Sequence, residues 1–529
     1  MNTILMVLLS GLFFFWGYRF YLKIVAKRFN VNPQAKTPAY TEYDGVDFIP
    51  ARNWFVLFGH HFSSIAGAAP VIGPVVALSI WGWAPAVLWV ILGSIFIGGI
   101  HDFASLIISV KNKGQSIANI AQETISAKAR LVFAIFVFLA LILVIAVFAF
   151  FSAQTFVTDS RVVLPSLGLI PVALLVGFLL YKTKANQVLT TIVGLLLLVI
   201  LVWGSGIVEM PANLNPQLWI VLFLLYAFVA SCLPVNILLQ PRDYLSVFLL
   251  FFGIFAGYLG VFIVRPELNI PAFVNPQQFQ PLWPMLFVTV ACGAVSGFHS
   301  LIASGTTSKQ INSQNDAHRI GYGAMILEAI LALLAVWCVA GGIKSQPALK
   351  ALIDEAGPVA VFSKGFGVIT QKILGSKGEL IGVVILNAFI LTTLDTATRI
   401  ARYILQELTG IKNRWLATLL VVLLAGYLAL GGRWKLIWPI FGASNQLVAA
   451  LTLFIVTSWL LMRNKPYKII LAAATFMLFT TIFSLLLQIK DYFAQNQLLL
   501  LFIALLLIFL AFYVLLSVIK ILFKKGRVR

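Results

Sequence analysis

Residues 54 to 83, WFVLFGHHFSSIAGAAPVIGPVVALSIWGW, are long and apolar enough to cross a bilayer, yet their middle cannot make an ordinary helix. His60, His61, Ser63 and Ser64 run into Gly67, Ala68, Pro70, Gly73 and Pro74. Each proline removes a backbone donor and crowds the preceding turn, and glycine loosens what remains. In hydrocarbon a freed peptide group finds no water, so a broken helix persists only inside protein or beside a wet cavity. The segment therefore predicts a span that unwinds near the bilayer midplane next to polar groups. Residues 284 to 311, PMLFVTVACGAVSGFHSLIASGTTSKQI, look like its counterpart, with Gly293, Gly297 and Gly305 loosening the chain beside Ser296, His299 and Ser300. Two interrupted spans at corresponding places in two halves point to the binding site of a secondary transporter. Close helix packing alone explains small residues, but not the accompanying histidine, proline and serine.

The rest of the chain fits that setting. Of 529 residues 61% are hydrophobic and only 10% charged, too few to coat a soluble protein of this size. The composition predicts an all-α polytopic membrane protein with no separate soluble domain. Cys232, Cys292 and Cys338 all fall in apolar spans and suggest neither a disulfide framework nor a metal-ligand pair. The net charge of +20 needs no nucleic-acid partner, because most lysines and arginines fall on one side of the predicted topology.

That topology has about 15 transmembrane helices, with the N-terminus outside and the C-terminus cytoplasmic. Residues 1–53 read as a retained first helix and a proline-containing cytoplasmic linker. Residues 54–461 read as the transporter core, and 462–529 as two further helices and the basic tail KKGRVR. Residues 116 to 130 are too polar to cross and predict an amphipathic helix on the inner surface. Lys182 with Lys184, and Arg242 with Asp243, mark inner loops; Glu209 marks an outer one. Residues 359 to 374, in the longest outer loop, predict a short helix capping the outer vestibule. Six spans separate the two broken ones, so these run in opposite directions, as inverted repeats require.

Several long, irregular stretches carry a resemblance: PARNWFVLFGHHFSSIAGAAPVIGPV (50 to 75), GGIHDFASLIIS (98 to 109), ACGAVSGFHSLIASGTTSKQI (291 to 311), RIGYGAMILEA (319 to 329), LTTLDTATRIARYILQE (391 to 407) and LIWPIFGASNQLVAALTL (436 to 453). The chain resembles the carbon starvation protein A (CstA) family of bacterial transporters, and is shorter after the core than its longest members. The family is similar to the amino acid–polyamine–organocation superfamily, which implies a LeuT-like core of two inverted five-helix repeats. The resemblance further implies ion-driven uptake of pyruvate or short peptides during carbon starvation.

In such a core a half-helix N-terminus suits a substrate carboxylate. Gly67 and Ala68, with Ser296, Gly297, His299 and Ser300, are then the natural substrate contacts, and Ser63 and Ser64 add donors. The resemblance also places Thr392 and Thr393 where related carriers use a hydroxyl pair for sodium; otherwise they bond back to their own helix. Proton coupling needs a group that changes charge cheaply. His60, His61, His101 and His299 titrate in the right range, and Glu328 and Asp395 are expensive to bury charged. Each has a structural alternative: Asp395 pairs with Arg399 one turn on, His101 and Asp102 sit at the inner interface, and Glu328 bonds a neighbouring helix. Around Trp438, Pro439 and Phe441, Asn445 and Gln446 read as glue between helices. No G-x-S-x-G or H-E-x-x-H motif argues for an enzyme, and paired broken helices favour alternating access over a channel. The expectation is an ion-coupled symporter for pyruvate or a similar small carboxylate, with di- or tripeptides as the alternative. No cofactor is expected beyond the coupling ion, H+ or Na+.

Overall fold

The computed structural model describes residues 3–183, 185–205, 215–235, 237–275, 280–431 and 434–526. Lys184, Glu209 and the last three residues of the tail lie outside these. No strand occurs among the described residues. The first helix, α1, runs Thr3–Phe29. The first broken span is α2 (Trp54–Ala66) and α3 (Ala69–Trp81). Then come α4 (Trp83–Lys111), α5 (Ile117–Thr124), α6 (Ala127–Thr158), α7 (Val163–Gly177), α8 (Gln187–Gly204), α9 (Pro216–Cys232) and α10 (Leu239–Val264). The second broken span contributes α11 (Phe287–Thr289) and α12 (Gly297–Gly305). Next are α13 (Gly323–Gly342), α14 (Gln346–Leu374), α15 (Gly378–Thr409) and α16 (Arg414–Ala429). Finally α17 (Trp434–Met462), α18 (Lys468–Ala494) and α19 (Leu498–Gly526) complete the chain. Twelve helical stretches among the described residues are long and apolar enough to span a bilayer. The shorter apolar helices α9 and α16 and the interrupted α11–α12 segment bring the structure to about the expected fifteen.

Helix starts follow local chemistry. Asn53, Ser116, Ser126, Asn215, Ser345 and Asn413 each accept a backbone N–H from the first turn of the helix they precede. Ser126 also corrects a sequence expectation. Residues 116 to 130 are not one surface helix: α5 stops at Thr124, and Ser126 caps the long span α6. The helix expected over 359 to 374 is the second limb of α14, which turns at Gly357 (φ +80°). That limb buries Val359, Val361, Phe366 and Ile369 and packs on α13, α10 and α15.

The packing repeats itself in inverted form. Helix α3 packs on α13 as α12 packs on α4, and α2 on α10 as α11 on α17. The short α5 lies on α6 as the long α14 lies on α15, and α6 and α15 pack along each other. Exchanging α2–α3 with α11–α12, α4 with α13, α5 with α14, α6 with α15 and α10 with α17 thus maps the contacts onto themselves. That is the two-fold relation of inverted repeats.

The two broken spans are tied together at both ends. On the face of the 30–53 linker, Ala51 N–H donates to Gln310 O (3.0 Å), Asn312 Nδ2 to Ala51 O (2.8 Å) and Thr37 Oγ1 to Ile311 O (2.5 Å). On the opposite face, Trp83 and Ala84 N–H donate to Pro271 and Ala272 O (3.2 and 2.9 Å), and Val274 N–H to Trp81 O (3.0 Å). The linker is also folded on itself. Asp44 Oδ1 accepts N–H from Val46, Asp47 and Phe48 at 2.8–2.9 Å. Partial burial pushes the Asp44 carboxyl up, but these donors outweigh it and hold it below the usual carboxylate range. A lowered folded-state value means the turn is fully supported above the ordinary carboxylate pKa and loses that support only as pH falls through the folded value. Asp44→Ala is therefore expected to speed limited proteolysis of the linker several-fold at pH 7, with wild-type cleavage flat from pH 5 to 8.

Candidate functional site

The first break falls where Gly67 takes φ +39°, ψ −155°, after α2 ends and before Pro70 opens α3. A Cβ on Gly67 would lie 2.9 Å from Thr393 Oγ1 and 3.1 Å from the Phe148 ring. Thr393 donates to the carbonyl of Ser64 (3.1 Å), one of the groups the break frees. Ser63 Oγ donates to Asp243 O (3.2 Å), while Ser64 Oγ is buried without a partner. Thr392 donates to Ala388 O on its own helix (2.9 Å), so only one of the two threonines meets the break. Above it, Phe148 and Phe441 stand edge to face (6.0 Å), with Trp438 against Phe441 (5.2 Å).

The second break, residues 290–296, threads between small residues of α3, α4, α13 and α17. Gly293 approaches Ala332 and Pro70, and Gly98 approaches the Ala294 carbonyl. Trp89 Nε1 donates to Val290 O (3.1 Å). The N-terminus of α12 is already occupied. Asn445 Oδ1 accepts the Phe298 N–H (2.8 Å), and its Nδ2 donates to Ser296 Oγ (3.0 Å). Ser300 Oγ donates to Gly297 O (2.7 Å) and pairs with Thr452 Oγ1 (3.1 Å). Ser296, Gly297 and Ser300 thus face α17, and Asn445, read from sequence as glue, acts as the cap. Gln446 does join helices, donating to Phe287 O. Asn445→Ala is expected to cost about 1 kcal/mol of stability, the usual value of a lost cap, seen as a lower unfolding midpoint in detergent.

Two networks of ionisable groups flank the breaks, their histidines, carboxylates and Arg242 all 0 to 1% exposed. In the first, His299 Nδ1 is 2.7 Å from Asp102 Oδ2 and its Nε2 is 3.1 Å from Glu328 Oε2; His101 Nδ1 is 2.8 Å from Asp102 Oδ1. In the second, His60 Nδ1 is 2.7 Å from Asp243 Oδ2 and its Nε2 is 3.2 Å from Thr306 Oγ1. Arg242 Nη2 reaches Asp243 Oδ1 (3.0 Å) and Asp395 Oδ1 (3.1 Å), its Nη1 reaches Asp395 Oδ2 (2.5 Å), and Tyr226 OH donates to the same oxygen (3.2 Å). His61 lies between, with Nδ1 2.8 Å from Thr307 Oγ1 and within electrostatic reach of Asp102, His299 and His60. Among the described residues no group of three or more His, Cys, Asp or Glu side chains is disposed to hold a metal ion.

Three sequence expectations change here. Asp395 does not pair with Arg399, which instead donates to the carbonyls of Ala230 (3.0 Å) and Leu233 (2.5 Å). His101 and Asp102 are wholly buried rather than interfacial, and Arg242 and Asp243 are not in a loop but in the first turns of α10, 1 and 0% exposed. Tyr226 escaped the sequence reading altogether. The available signal was Arg-Asp placed directly ahead of an apolar run, where a buried pair begins a span as readily as a loop ends one.

A model described as "Carbon starvation protein CstA" matches residues 2–347 and 342–484. The chain belongs to the carbon starvation protein CstA family. Its relatives within and around the family include the "Peptide transporter CstA" of Campylobacter jejuni, 30% identical over 94% of this chain and 82% of that protein. The "Pyruvate/proton symporter BtsT" of Escherichia coli is 32% identical over 85% of this chain and 76% of its own length. Among solved structures, MhsT in complex with L-phenylalanine superposes with a TM-score of 0.54 over 88% of this chain and 98% of that one. At 13% identity that likeness is one of fold, and it agrees with the LeuT-like inverted repeat. This CstA-family member is a multi-pass membrane protein whose relatives bear the names of transporters.

Proposed function

We propose that the chain is a proton-coupled symporter that imports pyruvate or a similar small carboxylate across the bacterial cytoplasmic membrane. The observation that carries this reading is the occluded polar centre. Two broken helices meet there, surrounded by histidines and carboxylates that are 0 to 1% exposed. Closure strengthens every charge interaction inside and makes a change of protonation a large free-energy event. The centre is small: Phe148 crowds Gly67, and Asn445 holds the end of α12. That favours a substrate of a few heavy atoms. Protons are favoured over sodium because Thr392 turns to its own helix, leaving Thr393 alone with the Ser64 carbonyl, whereas a hard cation wants several oxygens. By the positive-inside rule the linker face is cytoplasmic, with the N-terminus outside and the C-terminus inside. The proposed substrate contacts are in the Ser63–Ala68 segment, where Ser64 Oγ is buried without a partner.

Peptide import is the second reading, favoured by the name of the Campylobacter jejuni relative. The test is labelled pyruvate uptake into proteoliposomes of the purified protein under an imposed inward proton gradient, then a sodium gradient. Saturable uptake abolished by a protonophore is the expected result. Dependence on sodium would move the coupling site to Thr393. Accumulation of alanyl dipeptides with no pyruvate uptake would replace the substrate.

A further inference from the structure

We propose that Glu328, His299, Asp102 and His101 form the proton-binding site of this carrier, with the exchangeable proton seated on Glu328 beside His299. This rests on the proton-coupled reading above and names the groups that carry it. The four side chains come from α4, α12 and α13 and are each 0% exposed. His299 stands between two carboxylates, 2.7 Å from Asp102 and 3.1 Å from Glu328. An imidazolium offers both ring N–H groups there, whereas a neutral ring offers one. Asp102 is supported on its other oxygen by His101.

Charge counting sets the number of protons. With both carboxylates ionised and both imidazoles neutral, the cluster carries a charge of about −2, which a dry interior does not tolerate. Two protons bring it to neutrality. One belongs to the tight Asp102–His299 pair. The other has its cheapest seat on Glu328. That carboxylate meets His299 off the line of a hydrogen bond, and neither of its oxygens has a hydrogen-bond partner. An ionised carboxylate needs such partners far more than a protonated one. The groups facing the cluster from neighbouring elements are His61 of α2, itself beside His60, and Cys292 of the second break.

The placement also connects proton binding to transport. His299 is the third residue of α12, so its charge acts at the second break. On the linker face a cavity of about 250 Å³ is walled by Leu301, Ser304 and Gly305 of α12, with Lys309 and Glu407. This cavity lies on the same helix as His299, nearer the linker face.

The decisive experiment needs no substrate. Difference infrared spectroscopy of the full-length protein in lipid, titrated with pH, reads the C=O stretch of a protonated buried carboxyl. Wild type is expected to show a band that titrates, Glu328→Gln to lack it, and His299→Gln to keep it with a shifted midpoint. A band that persists in E328Q, an unshifted midpoint in H299Q, or no titrating band in wild type would each overturn the assignment. In proteoliposomes, E328Q is expected to retain substrate exchange without a gradient while losing gradient-driven accumulation at least tenfold. Equal loss of both in a folded E328Q would make Glu328 structural. If wild type moves no pyruvate, the substrate reading fails while the infrared result still decides the proton site.

Discussion

Replacing Arg242 with methionine is expected to destabilise the protein by about 3–5 kcal/mol, the usual cost of removing one partner from a buried ion pair. Arg242 holds two carboxylates at once. Both its terminal nitrogens engage Asp395, and Nη2 also meets Asp243, all 0 to 1% exposed. Without the guanidinium, Asp395 keeps only the Tyr226 hydroxyl, and Asp243 must rely on His60. The methionine fills most of the volume, so the loss reads electrostatics rather than a cavity. The measurement is the unfolding midpoint in detergent, together with a double-mutant cycle. Arg242→Met with Asp395→Asn should recover a large part of the loss, because the uncompensated charge is gone. A double variant no more stable than R242M would show that the pair does not act as a unit.

Gly297→Ala is expected to abolish transport while leaving the protein in the membrane. A Cβ there would run into the Asn445 carbonyl, the Ala449 amide and the Val448 side chain. Two of these are backbone, which cannot swing aside. Helix α12 would have to lift from α17, straining the Asn445 cap and moving His299 from Asp102. Overpacking of this kind costs on the order of 1–3 kcal/mol, and the displacement falls on the residues proposed to bind the proton. Uptake in proteoliposomes should fall by at least an order of magnitude. Gly11→Ala is the control, since nothing lies within 4 Å of its added methyl. Normal uptake by G297A would mean that α12 does not need its tight seat.

The features legible in the sequence were those fixed by near neighbours in the chain. The breaks at Gly67 and at 290–296 follow from glycine and proline chemistry, and the spans follow from runs of apolar residues. The inverted direction of the broken helices followed from counting. What escaped notice was pairing over long separations. Asp395 had a plausible partner four residues away, yet Arg242, 153 positions earlier, holds it. Helical spacing brings Arg399 to the same face, but the open carbonyls at the end of α9 draw its guanidinium off. Asn445 sits mid-span with no local hint that another helix begins against it. Thr392 and Thr393 are adjacent, so a helix points them apart, and only one of them reaches the break.

The ties between the two broken spans bear on how the molecule moves. The start of α2 is bonded to the chain after α12, and the end of α3 to the chain before α11. The four half-helices are therefore cross-braced at both membrane faces, and His299 braces them further to α4 and α13. Toward α10 and α15 the side-chain polar bonds of this body are His60 to Asp243, Ser63 to the Asp243 carbonyl, Gln310 to Gln240, the Ile330 carbonyl to Tyr258 and the Ser64 carbonyl to Thr393. A broken helix invites the picture of a hinge that bends at its break. Cross-bracing makes the breaks rigid sockets instead, and moves the mechanical slack to the seam against α10 and α15. A tilt of one braced block across that seam would break and remake these few contacts while leaving both sockets intact.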